Sequence, residues 1–181
     1  MLLPAATQSI LVVTVCTAAV YDLRYRRIPN WLALSGLILG IGTNTLLFAW
    51  QGLKVSLLGS GVALLIYFPL YLLRGMGAGD VKLMAAVGAI VGWPYWFGVF
   101  FFTAIVGGIA AVALLASRSQ LQRGFSNLGY LVVQLLYFRP PYARREELDV
   151  KSEKAVKLPH GVMIAWGSLL FLAAAWIWHP K

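Results

Sequence analysis

Two carboxylates stand out as the groups in this chain able to do chemistry. Asp22 and Asp80 are the only acidic residues among the first 145, and each sits at the edge of an apolar segment long enough to cross a bilayer. The other four, Glu146, Glu147, Asp149 and Glu153, fall in one polar stretch near the C-terminus. A charged carboxylate near hydrocarbon costs roughly 2.5–3.5 kcal/mol even on lenient insertion scales. A chain that avoids acids this widely and keeps two of them is expected to use them. Two carboxylates at close range do not both ionise easily, so such a pair shares one proton. The ionised member can take a proton from water while the protonated member donates to a carbonyl oxygen. Water then attacks, a tetrahedral diol forms, and a proton passes to the leaving amine. This scheme calls for no metal, no cofactor and no covalent intermediate.

The surroundings of each acid suggest its role. Asp22 is expected at the C-terminal end of a helix, where the helix dipole disfavours an anion. Its plain structural use would be as a partner for Arg24 or Arg26. Asp80 follows glycines at alternate positions, Gly75, Gly77 and Gly79. Such a run permits positive φ and close backbone approach, and Asp80 would then cap the next helix. An aspartate at a helix N-terminus ionises more readily, so Asp80 is read as the base and Asp22 as the acid. Lys82 would orient Asp80 or substrate, or else reach lipid phosphate. Pro159 and Gly161 would keep an irregular stretch near the site, or form an ordinary entry to the last helix.

The elements that must position these residues follow from hydropathy. The chain has 181 residues, 60% hydrophobic and 12% charged, whereas soluble domains are about 45–50% apolar and about 25% charged. This composition predicts an all-α polytopic membrane protein forming one integrated domain over 1–181. A spanning helix needs about 20 apolar residues, which predicts six: 4–22, 31–50, 53–73, 80–95, 97–116 and 159–178. Asn30 is expected to cap the second, Gln51-Gly52 to turn the chain, and the break between the fourth and fifth to fall near Trp93-Pro94. Several Trp residues lie at the predicted helix ends, as interfacial aromatic belts require. The polar stretch 117–158 is read as a cytoplasmic loop with an interfacial segment, its apolar run 128–138 being too short to span. Cys16, the one cysteine, is read as a small buried hydrophobe; alone it forms neither an intrachain disulfide nor a zinc site.

Charge sets the orientation. The net charge of +9 would suggest nucleic acid in a soluble protein, but its placement explains it better here. Loops 23–30, 74–82 and 117–158 share one side and hold 13 of the 15 Lys and Arg residues. That side is cytoplasmic by the positive-inside rule. Both termini then face outward, Asp22 and Asp80 both lie at the cytoplasmic face, and no nucleic-acid partner is expected. Residues 1–21 carry no Lys or Arg before their apolar run, unlike a secretory signal peptide, so this first helix is expected to be retained.

The strings themselves carry a resemblance. Tyr21-Asp22 with Gly77-Ala78-Gly79-Asp80 resembles the paired motifs of the GxGD intramembrane aspartyl proteases. The wider strings Asp22-Leu23-Arg24-Tyr25-Arg26-Arg27-Ile28-Pro29-Asn30 and Gly79-Asp80-Val81-Lys82-Leu83 are similar to the type IV prepilin peptidases. Pro159-His160-Gly161 resembles that family's C-terminal Pro-x-Gly segment, with His160 standing where an aromatic residue is expected. The resemblance implies a membrane aspartyl endopeptidase with Asp22 and Asp80 as its dyad. It would cleave the basic leader from prepilin or pseudopilin substrates at the cytoplasmic face of the bacterial cytoplasmic membrane, beside membrane lipid and pilus or secretion machinery. It also implies a short, Flp or tight-adherence type without the N-terminal region that methylates the new terminus in larger members. Presenilin-like and signal-peptide-peptidase-like enzymes share the short motifs but are larger and place the dyad deeper. From a different class, a proton- or ion-coupled transporter or channel subunit would use Asp22 and Asp80 as a relay. Acids confined to one face and the lack of an internal repeat weigh against it. A non-catalytic assembly subunit would tolerate loss of both carboxylates.

Overall fold

In a computed structural model of the chain, residues 3–72, 75–117 and 159–178 are described. The stretch 118–158, with its four acids and its short apolar run, lies outside the described residues. The described elements are α1 (Ala5–Tyr25), α2 (Asn30–Leu72), α3 (Ala78–Val91), α4 (Trp93–Ser117) and α5 (His160–Trp178). The chain is a polytopic membrane protein: α1, α2, α4 and α5 are long and apolar enough to cross a bilayer. Large apolar side chains such as Leu46, Leu65 and Ile109 point outward from them.

α2 is two limbs rather than one rod. Twelve residues of continuous helix would separate Asn44 from Ser56 by about 18 Å, yet Asn44 Nδ2 donates to Ser56 Oγ at 2.8 Å. The chain doubles back at Ala49, whose φ of 49° and ψ of −135° leave the helical region. The expected second and third helices are therefore both present, with the reversal slightly ahead of Gln51-Gly52.

α3 differs from a lipid-facing span. It has 14 residues, about 21 Å of helix, shorter than the roughly 30 Å hydrocarbon core. Every residue from Leu83 to Val91 is buried, as expected for a helix that is apolar on all sides and enclosed by others. Small residues let its neighbours close in, a general device where helices must pack in lipid. A Cβ on Gly40 would stand 2.7 Å from Ile90 N, and Gly59 and Gly88 press backbone on backbone. Gly40 lies on the first limb of α2 and Gly59 on the second, so α3 sits between both. Gly92 then turns the chain straight into α4, and its φ of 78° requires glycine. The break thus falls near Trp93-Pro94 as expected, and Pro94 lies in the first turn of α4, where its missing N–H costs nothing.

The inner end of α3 is closed by Asn44. Its amide donates to Ala89 O at 3.1 Å and Ile90 O at 2.9 Å, satisfying last-turn carbonyls that have no helical partner. Asn44→Leu should leave these carbonyls unsatisfied and destabilise the fold by about 2 kcal/mol. Unfolding in mixed micelles would measure it, and an unchanged midpoint would remove Asn44 from the account of how α3 ends.

α4 and α5 run antiparallel, with Gly98 against Phe171 and Gly167 against Thr103. α1 and α5 do the same: Trp176 Nε1 donates to Gln8 Oε1 at 3.2 Å near one end, and Gly161 meets Asp22 near the other. Trp96 is fully buried, its indole N–H reaching Met84 O at 3.3 Å. One expectation needs correction: Cys16 is exposed on α1 rather than buried.

Candidate active site

Asp22 does not end its helix. α1 continues one turn to Tyr25 and stops where Arg26 takes a left-handed conformation, its N–H bonding Asp22 O at 2.9 Å. Asp22 is nevertheless 7% exposed, in conflict with its own helix dipole. The conflict is resolved by α5. The carbonyl of Pro159 takes the N–H groups of Val162 and Met163 at 3.1 and 3.3 Å, which makes Pro159 the residue preceding the first turn. Gly161 N–H, one of the donors every helix start leaves over, points instead at Asp22 Oδ2 at 2.8 Å. Asp22 thus sits at the positive end of a helix 139 residues away in sequence. A Cβ on Gly161 would lie 3.0 Å from Asp22 Cβ, 3.1 Å from Asp22 Oδ2 and 3.2 Å from Ile28 Cδ1. Pro159 and Gly161 are therefore at this carboxylate, as the helix entry rather than an irregular stretch.

Asp80 lies in the first turn of α3 but is not its cap. The helix starts two residues earlier, after Gly77, whose φ of −74° and ψ of 146° are ordinary extended backbone. The glycines supply closeness here and not positive φ. Asp80 occupies the third helical position and its carboxylate reaches back to the backbone N–H of Gly77, the acidic half of a capping box. A Cβ on Gly77 would come within 3.1 Å of Asp80 Oδ2, and one on Gly79 within 3.1 Å of Ile28 Cβ. Gly75 has no such neighbour apart from Leu70 O at 3.5 Å.

These two helix starts bring the carboxylates into one electrostatic neighbourhood. Asp22, His160 and Tyr67 all act on or feel the charge of Asp80. Tyr67 is buried against Trp96 and Phe100, edge-on to both at centroid distances of 6.1 and 6.0 Å. Ile28 fills the seam between Gly79 and Gly161. Lys82 turns away from this seam: its Nζ donates to Asn30 Oδ1 at 2.9 Å. Asn30 is therefore not the cap of α2, whose first N–H groups use Pro29 O. Each carboxylate receives a backbone N–H at a helix N-terminus, Asp22 from Gly161 and Asp80 from Gly77. That arrangement suits exchange of one proton between two carboxylates and a bound carbonyl.

Sequence reasoning chose Asp22, Gly77, Gly79, Asp80, Pro159 and Gly161, and the fold gathers them at one end of the bundle. It did not single out Ile28 for contact with both glycines, nor Tyr67. Ile28 was visible as part of the Ile28-Pro29-Asn30 string. Tyr67 is one aromatic among many in an apolar run, with no spacing to mark it.

The profile of the Type IV leader peptidase family matches residues 9–112. That range takes in Asp22 and Asp80 and stops short of Pro159 and Gly161. The prepilin leader peptidase/N-methyltransferase of Escherichia coli (strain K12) is similar at 31% identity over 134 residues, with 65% of this chain and 60% of the relative covered. The chain thus spans somewhat under two thirds of that relative's length. No solved structure matches.

Proposed function

The chain belongs to the type IV leader peptidase family, and on that premise we propose that it is an aspartyl endopeptidase that removes leader peptides from prepilin-like substrates. Asp22 and Asp80 form its dyad. The observation that carries this reading is the pair of helix starts: Gly161 N–H on Asp22 and Gly77 N–H on Asp80, with the two carboxylates close enough to feel each other. The bundle crosses the bacterial cytoplasmic membrane six times, both termini outside, and the dyad works at the cytoplasmic face. Three observations support that orientation. The α1 end, the α3 start and the α5 start share one end of the bundle, and Arg24, Arg26, Arg27 and Lys82 gather there. Leu23, Tyr25 and Trp31 are exposed at that same end, as side chains at a membrane–water boundary are.

The reaction then runs on proton transfers between the two carboxylates, water and substrate. The ionised aspartate takes a proton from water as the oxygen attacks the scissile carbonyl. The protonated aspartate donates to the carbonyl oxygen, giving a neutral diol. Collapse breaks the C–N bond, the first aspartate gives its proton to the leaving amine, and a diol hydroxyl returns one to the second. Pairing with prepilin machinery and membrane lipid follows from the same reading.

The test is direct. Membranes holding the chain, mixed with a Flp-type prepilin, are expected to release the leader, seen as a mass shift of the substrate. No cleavage of several prepilins, together with proton uptake that depends on Asp22 and Asp80, would move the relay reading to the front.

Lys82 has a smaller part. Lys82→Met breaks one exposed hydrogen bond worth about 1 kcal/mol and is expected to slow cleavage less than about tenfold. A loss as deep as that of Asp80→Asn in the same assay would put the ammonium in the reaction itself.

A further inference from the structure

A groove of about 420 Å³ opens between the two limbs of α2 and the first turns of α3. The first limb lines it with Asn30, Leu34 and Leu37, the second with Ser60 and Leu64, and α3 with Lys82. The spacing of three or four residues means that each limb turns one face to it. From Asn30 to Leu37 the groove runs about 10 Å along the first limb. Its walls are apolar, and Leu34 and Leu64 are exposed along them. Two polar groups interrupt that character. Lys82 Nζ donates to Asn30 Oδ1 at 2.9 Å, which uses one of the three donors of an ammonium. Ser60 lies deeper: a Cβ on Gly88 would stand 3.0 Å from Ser60 N, and Gly88 is about 9 Å along α3 from Lys82. Ser60 is 9% exposed, and its hydroxyl has no hydrogen-bond partner among the described residues. A buried hydroxyl left so costs free energy until something that enters the groove accepts from it.

We infer that this groove is a binding site for one anionic glycerophospholipid of the surrounding membrane. The phosphate takes the spare donors of Lys82, an acyl chain lies along Leu34, Leu37 and Leu64, and Ser60 donates to an ester carbonyl. Charge and shape select this occupant. A free phosphate would satisfy Lys82 and leave the leucine walls bare. A second helix is too wide, since one turn, about 10 Å across and about 5 Å long, would take up the whole volume. A single acyl chain is narrow enough, and a glycerophospholipid carries phosphate, ester carbonyls and chain in that order. Basic pockets between membrane helices hold lipid headgroups on the same physical ground. The inference is independent of whether Asp22 and Asp80 cleave peptides. It also accounts for Lys82, which stands two residues past Asp80 yet turns away from it.

The test uses the full chain in detergent micelles with equal amounts of phosphatidylglycerol and phosphatidylcholine. Native mass spectrometry reads the phospholipid retained per chain. The wild type should hold phosphatidylglycerol about fivefold better than phosphatidylcholine, the preference that one cation near the membrane surface gives. Equal retention of the two would overturn the inference, and this readout needs no variant to fold. Lys82→Gln should abolish the preference and Lys82→Arg should keep it. Leu64→Trp, which fills the groove, should lower retention of both lipids about tenfold. A preference that survives Lys82→Gln, or retention unchanged in Leu64→Trp, would place the lipid elsewhere and end the proposal. Glycerol phosphate in large excess should leave the lipid bound; displacement would reduce the site to a phosphate contact and refute the acyl groove. A photoreactive side chain in place of Leu37 should crosslink phospholipid. Capture of added prepilin in its stead would give the groove to a peptide and sink the lipid assignment.

Discussion

Asp22→Asn and Asp80→Asn are each expected to lower leader cleavage by about 10²–10⁴-fold, the range that positioned general acids and bases contribute. Asparagine is the informative replacement because it keeps the shape of the site. At position 22 the amide oxygen can still accept from Gly161 N–H, so the contact between α1 and α5 survives. At position 80 the amide oxygen can still accept from Gly77. What is lost is the ability to carry a proton between water, the carbonyl oxygen and the amine. The measurement is the initial rate of leader release per folded molecule, with thermal midpoints recorded alongside. Loss in both variants with unchanged midpoints supports the dyad. Near-normal cleavage in either one would sink an aspartyl mechanism.

Gly161→Ala should cost about 10²-fold in kcat, the penalty for moving a catalytic group by about 1 Å. The new methyl would crowd Asp22 Cβ, Asp22 Oδ2 and Ile28 Cδ1 together, all within 3.0–3.2 Å. Ile28 cannot retreat freely, since its Cβ already faces Gly79. The least costly movement is rotation or withdrawal of the Asp22 carboxylate from the α5 start. The effect should appear in kcat more than in KM, because the methyl disturbs the carboxylate and not an apolar substrate groove. If the variant kept full activity per folded molecule and lost only stability, Gly161 would be a packing residue and no more.

Much of this protein is written in the order of its residues. Free energies of transfer add along a segment, so hydropathy alone marked the apolar helices. The excess of Lys and Arg on alternate loops gave one face to Asp22 and Asp80. The rarity of acids pointed to those two residues, and the GxGD string pointed to the same pair. The reversal within α2 was also foreseen, three residues from where Ala49 makes it.

Other features had no local signature. Lipid and protein interior are about equally apolar, so hydropathy could not tell that α3 is enclosed on all sides while α4 faces outward along much of its length. Depth in the bundle depends on which helices approach closely, and that was settled by backbone contact at Gly40, Gly59 and Gly88. The glycines before Asp80 looked like a strained loop; packing against Ile28 made them a close-fitting helix start. Asp22 looked unfavourable at the end of α1 because only its own helix was in view. The helix that stabilises it begins at His160, and no rule of spacing connects residues so far apart. The identity of the two carboxylates was thus determined by the sequence itself, through what each residue costs in a membrane. Their environment was decided by tertiary structure alone, because a helix dipole acts through space on whatever the packing brings to its end.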